Sequence, residues 1–258
     1  GVLGDKAAVK EMYKQAGVGS LEQLYKGGFT NESFAKAIAK IPLRYEPGST
    51  WEYGHSTDVL GRVLEVVAKQ PLDKLLAERL LKPLAMNDTA FQIPADKAKR
   101  IAQPQKDAKT GELPDLIDLT QPVTWFASGH GLGSTAHDYL RFTQMLVNGG
   151  ELDGTRYLSR KTLAWMTANH VNPNISPGTA FLPGPGYGFG LGFAVREHQG
   201  MSEWNGTPGE FYWGGYAGTF FFVDPKEQLI AVLLFQNPPV RNHYRALFRA
   251  TVLQAIVD

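Results

Sequence analysis

The run from Pro47 to Gly61, PGSTWEYGHSTDVLG, constrains the fold more than any other part of the chain. It opens on a Pro-Gly turn signal, presents Trp51 and Tyr53 on a short linker, and then becomes helical in pattern. From Asp58 onward Val59, Leu60, Val63, Leu64 and Val67 recur at three- and four-residue spacing, the period of an amphipathic helix. A phenol held between a turn and the start of a helix is either a surface tyrosine filling a loop or a hydroxyl with a task. Spacing alone leaves both open.

The rest of the chain falls into a helical part and a sheet part. Helices are expected over 5–16, 33–39, 58–68, 72–81, 134–147, 159–168 and 242–257. Thr30-Asn31-Glu32 marks one start, Ser134 another, and Pro83 one stop. Between Phe91 and Thr124 the sequence is polar and proline-rich, a long surface excursion suited to forming part of a substrate pocket. Beyond residue 175 the composition shifts. A glycine-rich aromatic strand is expected over 184–192, and β-rich runs over 218–223 and 229–235 form a hairpin around Asp224-Pro225-Lys226-Glu227. The division reads as 1–175, mainly helical and carrying the tyrosine motif, and 176–258, a sheet with a C-terminal helix. Three or four strands lie close to the lower limit for a sheet that stands alone, so the sheet reads as incomplete.

Composition removes several classes of function. Lys+Arg 26 against Asp+Glu 25 leaves no electrostatic footprint for nucleic acid. No apolar run is long enough to span a membrane. With no cysteines there are neither disulfides nor thiolate metal sites, and the six histidines, His55, His130, His137, His170, His198 and His243, show no metal-ligand spacing.

The segment PGSTWEYGHSTDVLGRVLEVVAKQPLDKLLAERLLKPLAMNDTAF resembles the tyrosine-motif region of penicillin-recognising serine hydrolases. These include class C β-lactamases, DD-peptidases, and carboxylesterases and acyltransferases of the same fold. The likeness is greatest to the esterase branch, in YGHSTDVLG and KPLAMNDTAF. The resemblance implies an α/β (α+β) fold of the β-lactamase/transpeptidase type, with an antiparallel sheet flanked by helices, an all-helical domain, and the site in the cleft between them.

That family's mechanism requires a Ser-x-x-Lys at a helix start, the tyrosine motif, and a strand-borne Lys-Thr-Gly or its equivalent. Ser33-Phe34-Ala35-Lys36 has the first spacing but stands too close to Tyr53 and inside an ordinary amphipathic helix, so it is expected to be a decoy. The true pair, with further strands, is expected upstream of Gly1, in a segment the fold needs for completion. Tyr53 is then the second catalytic group. It acts either as a phenolate base, which needs neighbouring positive charge, or as a neutral relay. His55 stands where the family often has asparagine; it reads as a substrate-orienting group or as a packed helix-start histidine.

The third piece is matched by position at Trp213-Gly214-Gly215, within FYWGGYAGT, a form associated with the esterase branch. The glycines admit substrate to the strand, and the Tyr216 N–H is placed as an oxyanion donor. Trp213 replaces the cation that would face a substrate carboxylate, which favours neutral esters. Taken alone, Trp213 reads first as a core aromatic in a glycine-rich strand. In the loop from Trp125 to Leu132, Trp125 and His130 are expected to border the pocket, and His130 departs from the family's usual glycine; a solvent-facing loop histidine is the competing reading.

The expected function is a cofactor-free serine carboxylesterase acting through an acyl-enzyme on a small-molecule ester. The alternatives are an acyltransferase, a weak β-lactamase or DD-peptidase, and an inactive binding relative.

Overall fold

A computed structural model describes residues 6–257. The chain begins with three short helices, α1 (Lys6–Gln15), α2 (Leu21–Lys26) and α3 (Asn31–Ile38). Residue 5 of the expected first helix lies outside the described residues. Helix α3 starts at the expected signal. The Thr30 hydroxyl accepts the Ser33 N–H at 3.2 Å and the Ser33 hydroxyl accepts the Thr30 N–H at 2.8 Å, a reciprocal cap. Helix α2 was not expected. Its six residues are too few for a periodic signal, although Ser20 caps it by accepting the Gln23 N–H.

Strand β1 (Thr50–Trp51) leads into α4 (Ser56–Ala68), which ends where Lys69 turns left-handed ahead of Pro71. Helix α5 (Leu72–Leu76) continues through a π-helical turn, Ala77–Leu81, so the expected helix over 72–81 is present with a change of winding. Apart from Val59, which packs on the N-terminal core, the valines and leucines of α4 do not meet the core as their spacing suggests. Leu60, Val63, Leu64, Val66 and Val67 are exposed among the described residues, Val67 by 76%. The packed face carries Asp58 and Gly61 instead. A Cβ at Gly61 would fall 1.8 Å from the Ser128 Oγ, so glycine is what lets the 128–133 loop lie against this helix.

Helix α6 (Ala136–Val147) is capped by Thr135, one residue beyond the expected Ser134. The Thr135 hydroxyl accepts the Asp138 N–H, while Ser134 shares a 2.7 Å hydrogen bond with Thr89. A small hairpin follows, β2 (Glu151–Leu152) with β3 (Thr155–Arg156), then α7 (Arg160–Met166), which is shorter than the expected helix over 159–168 and is capped by Ser159. Strand β4 (Ser176–Pro177) pairs in parallel with β1.

The main sheet is an antiparallel meander of β5 (Tyr187–Phe189), β6 (Ala194–Arg196), β7 (Phe211–Gly214), β8 (Gly218–Asp224) and β9 (Leu229–Gln236), followed by α8 (Arg241–Leu253). The sheet thus has five strands where three or four were expected. The expected strand over 184–192 shortens to Tyr187–Phe189 because the next amides turn away: Gly190 N–H donates to Phe193 O and Leu191 N–H to Met166 O. The β8–β9 hairpin forms as expected, with Asp224 opposite Leu229.

One face of the sheet packs Phe193, Val195, Phe211, Phe221 and Val223 against Leu84, Met145, Leu146 and Leu163 of the helical half. This core takes residues from both sides of residue 175. The other face meets α8, and the junction is tied by buried charge. Glu210 accepts from Arg196 Nε at 3.1 Å, Arg249 Nη2 at 2.7 Å and the Tyr187 hydroxyl at 2.9 Å, so none of the three ionised groups is buried alone. A third core, Val18, Leu24, Phe34, Trp125 and Ala127, lies among the N-terminal helices. No helix among the described residues is long and apolar enough to cross a membrane.

Candidate active site

Tyr53 and Trp213, far apart in sequence, meet. Their ring centroids are 6.2 Å apart with the planes inclined by 25°, so the tyrosine motif and the Trp-Gly-Gly triplet face each other across one cleft. Tyr53 arrives from the linker between β1 and α4 and remains about half exposed. Trp213 arrives from the end of β7, where Tyr212 on the preceding position enters the sheet's other core.

Behind Tyr53 lies a buried carboxylate. Asp58, only 4% exposed, accepts the Gly129 N–H at 2.9 Å and pairs with His55 Nδ1 at 2.9 Å; His130 Nδ1 stands 4.0 Å away. Burial alone would raise the Asp58 pKa. The His55 and Gly129 hydrogen bonds, with the two imidazoles, outweigh it and hold the carboxyl below its ordinary range. The same anion acts on its neighbours. The Tyr53 phenol is raised above its ordinary value, first by burial and then by Asp58. His130 is lowered by burial, against the pull of Asp58, and packs edge-on against Trp125 and Tyr25.

These contacts locate the other expected site residues. His55 occupies the helix-start position with its Nδ1 committed to Asp58 and its ring against Phe34 and Tyr13. His130 is folded inward from its loop. Trp125 is 1% exposed and belongs to the helical core; its indole backs His130 instead of lining the cleft, because the 125–127 segment is drawn in with Phe34 and Ala127.

On the sheet side the turn between β7 and β8 is compact. Gly215 N–H donates to Thr219 O at 2.8 Å and Gly218 N–H to Gly215 O at 3.2 Å, whereas the Tyr216 N–H donates to no group among the described residues. Arg245 of α8 holds this turn from behind, donating to Thr219 O at 2.9 Å and to Gly215 O. A Cβ at Gly214 would fall 2.8 Å from the Arg245 guanidinium carbon and 3.1 Å from Thr219 O, so a larger residue here would displace the arginine that holds the turn. Burial, then the neighbouring Arg241, lowers the Arg245 pKa to about 10.

A guanidinium stands beside the residue that follows the triplet. The Arg241 guanidinium carbon lies 5.3 Å from the centroid of the exposed Tyr216 ring. Both line a cavity of about 430 Å³ whose far wall is the polar excursion, through Asp107, Glu112 and Asp115. The sequence reading missed Asp58, Arg241 and Arg245. The His55–Asp58 spacing at a helix start carried a signal; the arginines, on a helix remote in sequence, carried none.

Ser33 and Lys36 do not approach one another as a nucleophile pair. Ser33 is engaged in the α3 cap and Lys36 bonds to Glu32.

The chain belongs to the Beta-lactamase family, whose profile matches residues 5–254. Protein Rv1367c of Mycobacterium tuberculosis is 34% identical over 213 residues, which is 79% of this chain and 53% of that protein. A Salmonella typhi protein whose name proposes D-alanyl-D-alanine carboxypeptidase activity is 29% identical over 229 residues, 80% of this chain and 50% of its own length. The chain therefore spans about half the length of the curated relatives it matches. Among solved structures, EstCE1, described as a hydrolase with promiscuous acyltransferase activity, aligns with a TM-score of 0.74 and 28% identity, over 87% of this chain and 61% of that one. The octameric penicillin-binding protein homologue from Pyrococcus abyssi shares the fold, with a TM-score of 0.67 at 18% identity over 96% of this chain and 52% of that one. The fold is thus of the β-lactamase/transpeptidase type, as the tyrosine motif implied.

Proposed function

We propose that this chain supplies the tyrosine and oxyanion side of a serine carboxylesterase that works through an acyl-enzyme. The observation that carries this reading is the stacking of Tyr53 on Trp213, which joins a proton-carrying phenol to an apolar wall where a penicillin-recognising relative would present a cation. In the reaction a serine hydroxyl attacks the ester carbonyl and the carbonyl oxygen takes the developing charge, with the Tyr216 N–H as one donor. Tyr53, kept protonated by burial and Asp58, passes its proton to the departing alcohol as the serine proton moves toward it. Water then attacks the acyl-serine, releasing the carboxylic acid and regenerating the serine. Ser33 and Lys36 do not furnish the nucleophile and its base, so the reading requires another serine–lysine pair in the full-length protein.

Arg241 favours a second reading, a peptidase or β-lactam hydrolase that pairs a substrate carboxylate with this guanidinium. The test is intact-mass analysis of the full-length protein after a fluorophosphonate, with peptide mapping, beside rates on p-nitrophenyl butyrate, nitrocefin and a D-alanyl-D-alanine peptide. Labelling of a serine other than Ser33, with the ester turned over fastest, is the expected result. Absence of labelling removes the esterase reading, and faster nitrocefin or peptide turnover selects the second one.

A further inference from the structure

Trp213 is the middle of a longer row of rings. From Tyr53 the contacts run to Trp213 at 6.2 Å, from Trp213 to Phe189 at 5.3 Å, from Phe189 to Trp51 at 5.0 Å and from Trp51 to Phe181 at 5.2 Å. The last three contacts are edge-to-face, and none of the five rings is fully buried. Four separate segments supply them: β1 with the linker that follows it, the end of β7, the end of β5 and the loop after β4. Side chains from four segments do not form one partly exposed aromatic strip unless something holds the segments in register.

Glu52, between Trp51 and Tyr53, does so. Its carboxylate pairs with Arg44, accepts the Thr179 hydroxyl at 3.2 Å and accepts the Ala180 N–H at 3.2 Å, which fastens the loop bearing Phe181 to the residue before Tyr53. The parallel β1–β4 pair reinforces the attachment, with Gly178 N–H donating to Trp51 O at 2.9 Å. A Cβ at Gly178 would lie 2.6 Å from that same carbonyl oxygen, a backbone atom that cannot swing aside. With Glu52 engaged by three donors, its charge is satisfied within the fold and the strip offers neutral ring faces and edges.

We propose that this strip is a subsite for a neutral aryl group on the ester and that Glu52 is the positioning residue that assembles it, a proposal that rests on the esterase reading of the same cleft. Ring–ring contacts are stronger than burial of a saturated group of equal size, by a factor of about 2 to 12 for a single well-placed pair. The strip therefore selects planar rings over cyclohexyl groups of the same shape.

The experiment uses the full-length protein and matched pairs. Benzyl acetate against cyclohexylmethyl acetate reads the alcohol side, and methyl phenylacetate against methyl cyclohexylacetate reads the acyl side. In one of the two pairs kcat/KM should favour the aromatic member by about tenfold, and Phe181→Leu should reduce that ratio about threefold or more. Gly178→Ala, which touches no ring, should reduce it too, with circular dichroism and thermal melting showing that the fold persists. Binding is read independently of hydrolysis by tryptophan fluorescence titration with N-benzylacetamide and N-cyclohexylmethylacetamide, where the aromatic amide should bind tighter.

If no serine is labelled yet the aromatic amide binds tighter and Phe181→Leu abolishes the difference, the esterase reading fails and the aryl subsite stands. If hydrolysis is robust but neither ester pair nor the amides discriminate, the proposal is overturned. A rate advantage for butyrylcholine over its uncharged isostere 3,3-dimethylbutyl butyrate, without aryl selectivity, would also overturn it by assigning the rings to cations.

Discussion

The two walls of the cleft are built on opposite plans. The helical wall behind Tyr53 is organised by charge: a buried aspartate, two imidazoles and a backbone amide gathered from α4 and from the loop around His130. The sheet wall is organised by backbone: a tight turn whose carbonyls are held by Arg245, packed close against Gly214. The contrast bears on the proton transfer proposed for Tyr53. The charge that reaches the Tyr53 phenol from its own wall is negative and raises its pKa, so the helical wall by itself favours a neutral tyrosine. A neutral phenol can relay a proton but cannot abstract one unaided.

The largest expected effect breaks the helical wall at its tip. Tyr53→Phe in the full-length protein should retain the fold, since the half-exposed hydroxyl makes no hydrogen bond among the described residues. It should lower kcat for p-nitrophenyl butyrate by about 10²–10⁴-fold, the usual contribution of positioned acid–base assistance. A variant within threefold of the parent would remove Tyr53 from the proton path.

A second experiment asks whether the sheet wall sets substrate charge. A carboxylate set against the Trp213 indole loses water without gaining an ion pair, at a cost of several kcal/mol. Trp213→Lys should therefore shift the ratio of nitrocefin to p-nitrophenyl butyrate turnover toward the cephalosporin by roughly 10–100-fold. Because Arg241 stands over the ring of Tyr216, directly after the triplet, Arg241→Ala is the necessary companion. If it alone moves the ratio, the charge preference belongs to α8 and not to the triplet. Thermal melting separates either result from loss of packing.

The plan of the sheet wall was more legible in the sequence than that of the helical wall, for a physical reason. Trp213-Gly214-Gly215 and the β8–β9 hairpin are local patterns, written in consecutive residues and fixed by strand period and turn chemistry. The Asp58 cluster joins residues more than seventy positions apart, and its formation depends on Gly61 letting a loop approach a helix, which no periodicity announces. The same close approach explains why the apolar pattern of α4 misled: its valines are at helical spacing, yet beyond Val59 the face the fold packs is the one with Asp58 and Gly61. His130 gave a loop signal, and the structure turned it inward because Tyr25 and Trp125 stand on either side of it.

The charge cluster should show itself in stability before activity. Asp58→Asn removes charged hydrogen bonds in a buried site and should cost about 2 kcal/mol in urea unfolding. It should also lower the Tyr53 phenol pKa, read as the ultraviolet difference between the variant with and without Tyr53→Phe. The pH dependence has a worked sign. His130 is depressed below 6.5, so the unfolded chain binds its proton more readily; the stability it contributes is complete above 6.5 and declines as pH falls through the folded value. Asp58 is depressed below 3.8, so its contribution is complete above 3.8 and is lost only at still lower pH. Melting temperature should accordingly fall in two steps on acidification, and His130→Gln should remove the upper one. An unchanged upper step would mean that His130 does not titrate as its surroundings require.

The smallest expected effect lies outside both walls and marks where the catalytic machinery ends. Ser33 sits three residues before Lys36, the spacing of a nucleophile and its base, but its hydroxyl accepts the Thr30 N–H and donates to the Thr30 carbonyl, while Lys36 turns to Glu32. A hydroxyl that closes a cap is held by two backbone groups and is not free to attack. Ser33→Ala should then cost only about 1 kcal/mol or less, the scale of a lost capping interaction at an exposed helix start. It should leave ester turnover and fluorophosphonate labelling as they are in the parent. If the variant melts normally but no longer takes the label, the nucleophile is Ser33, the cap is a resting state of the catalytic serine, and the cleft defined by Tyr53 and Trp213 is not where the acyl-enzyme forms.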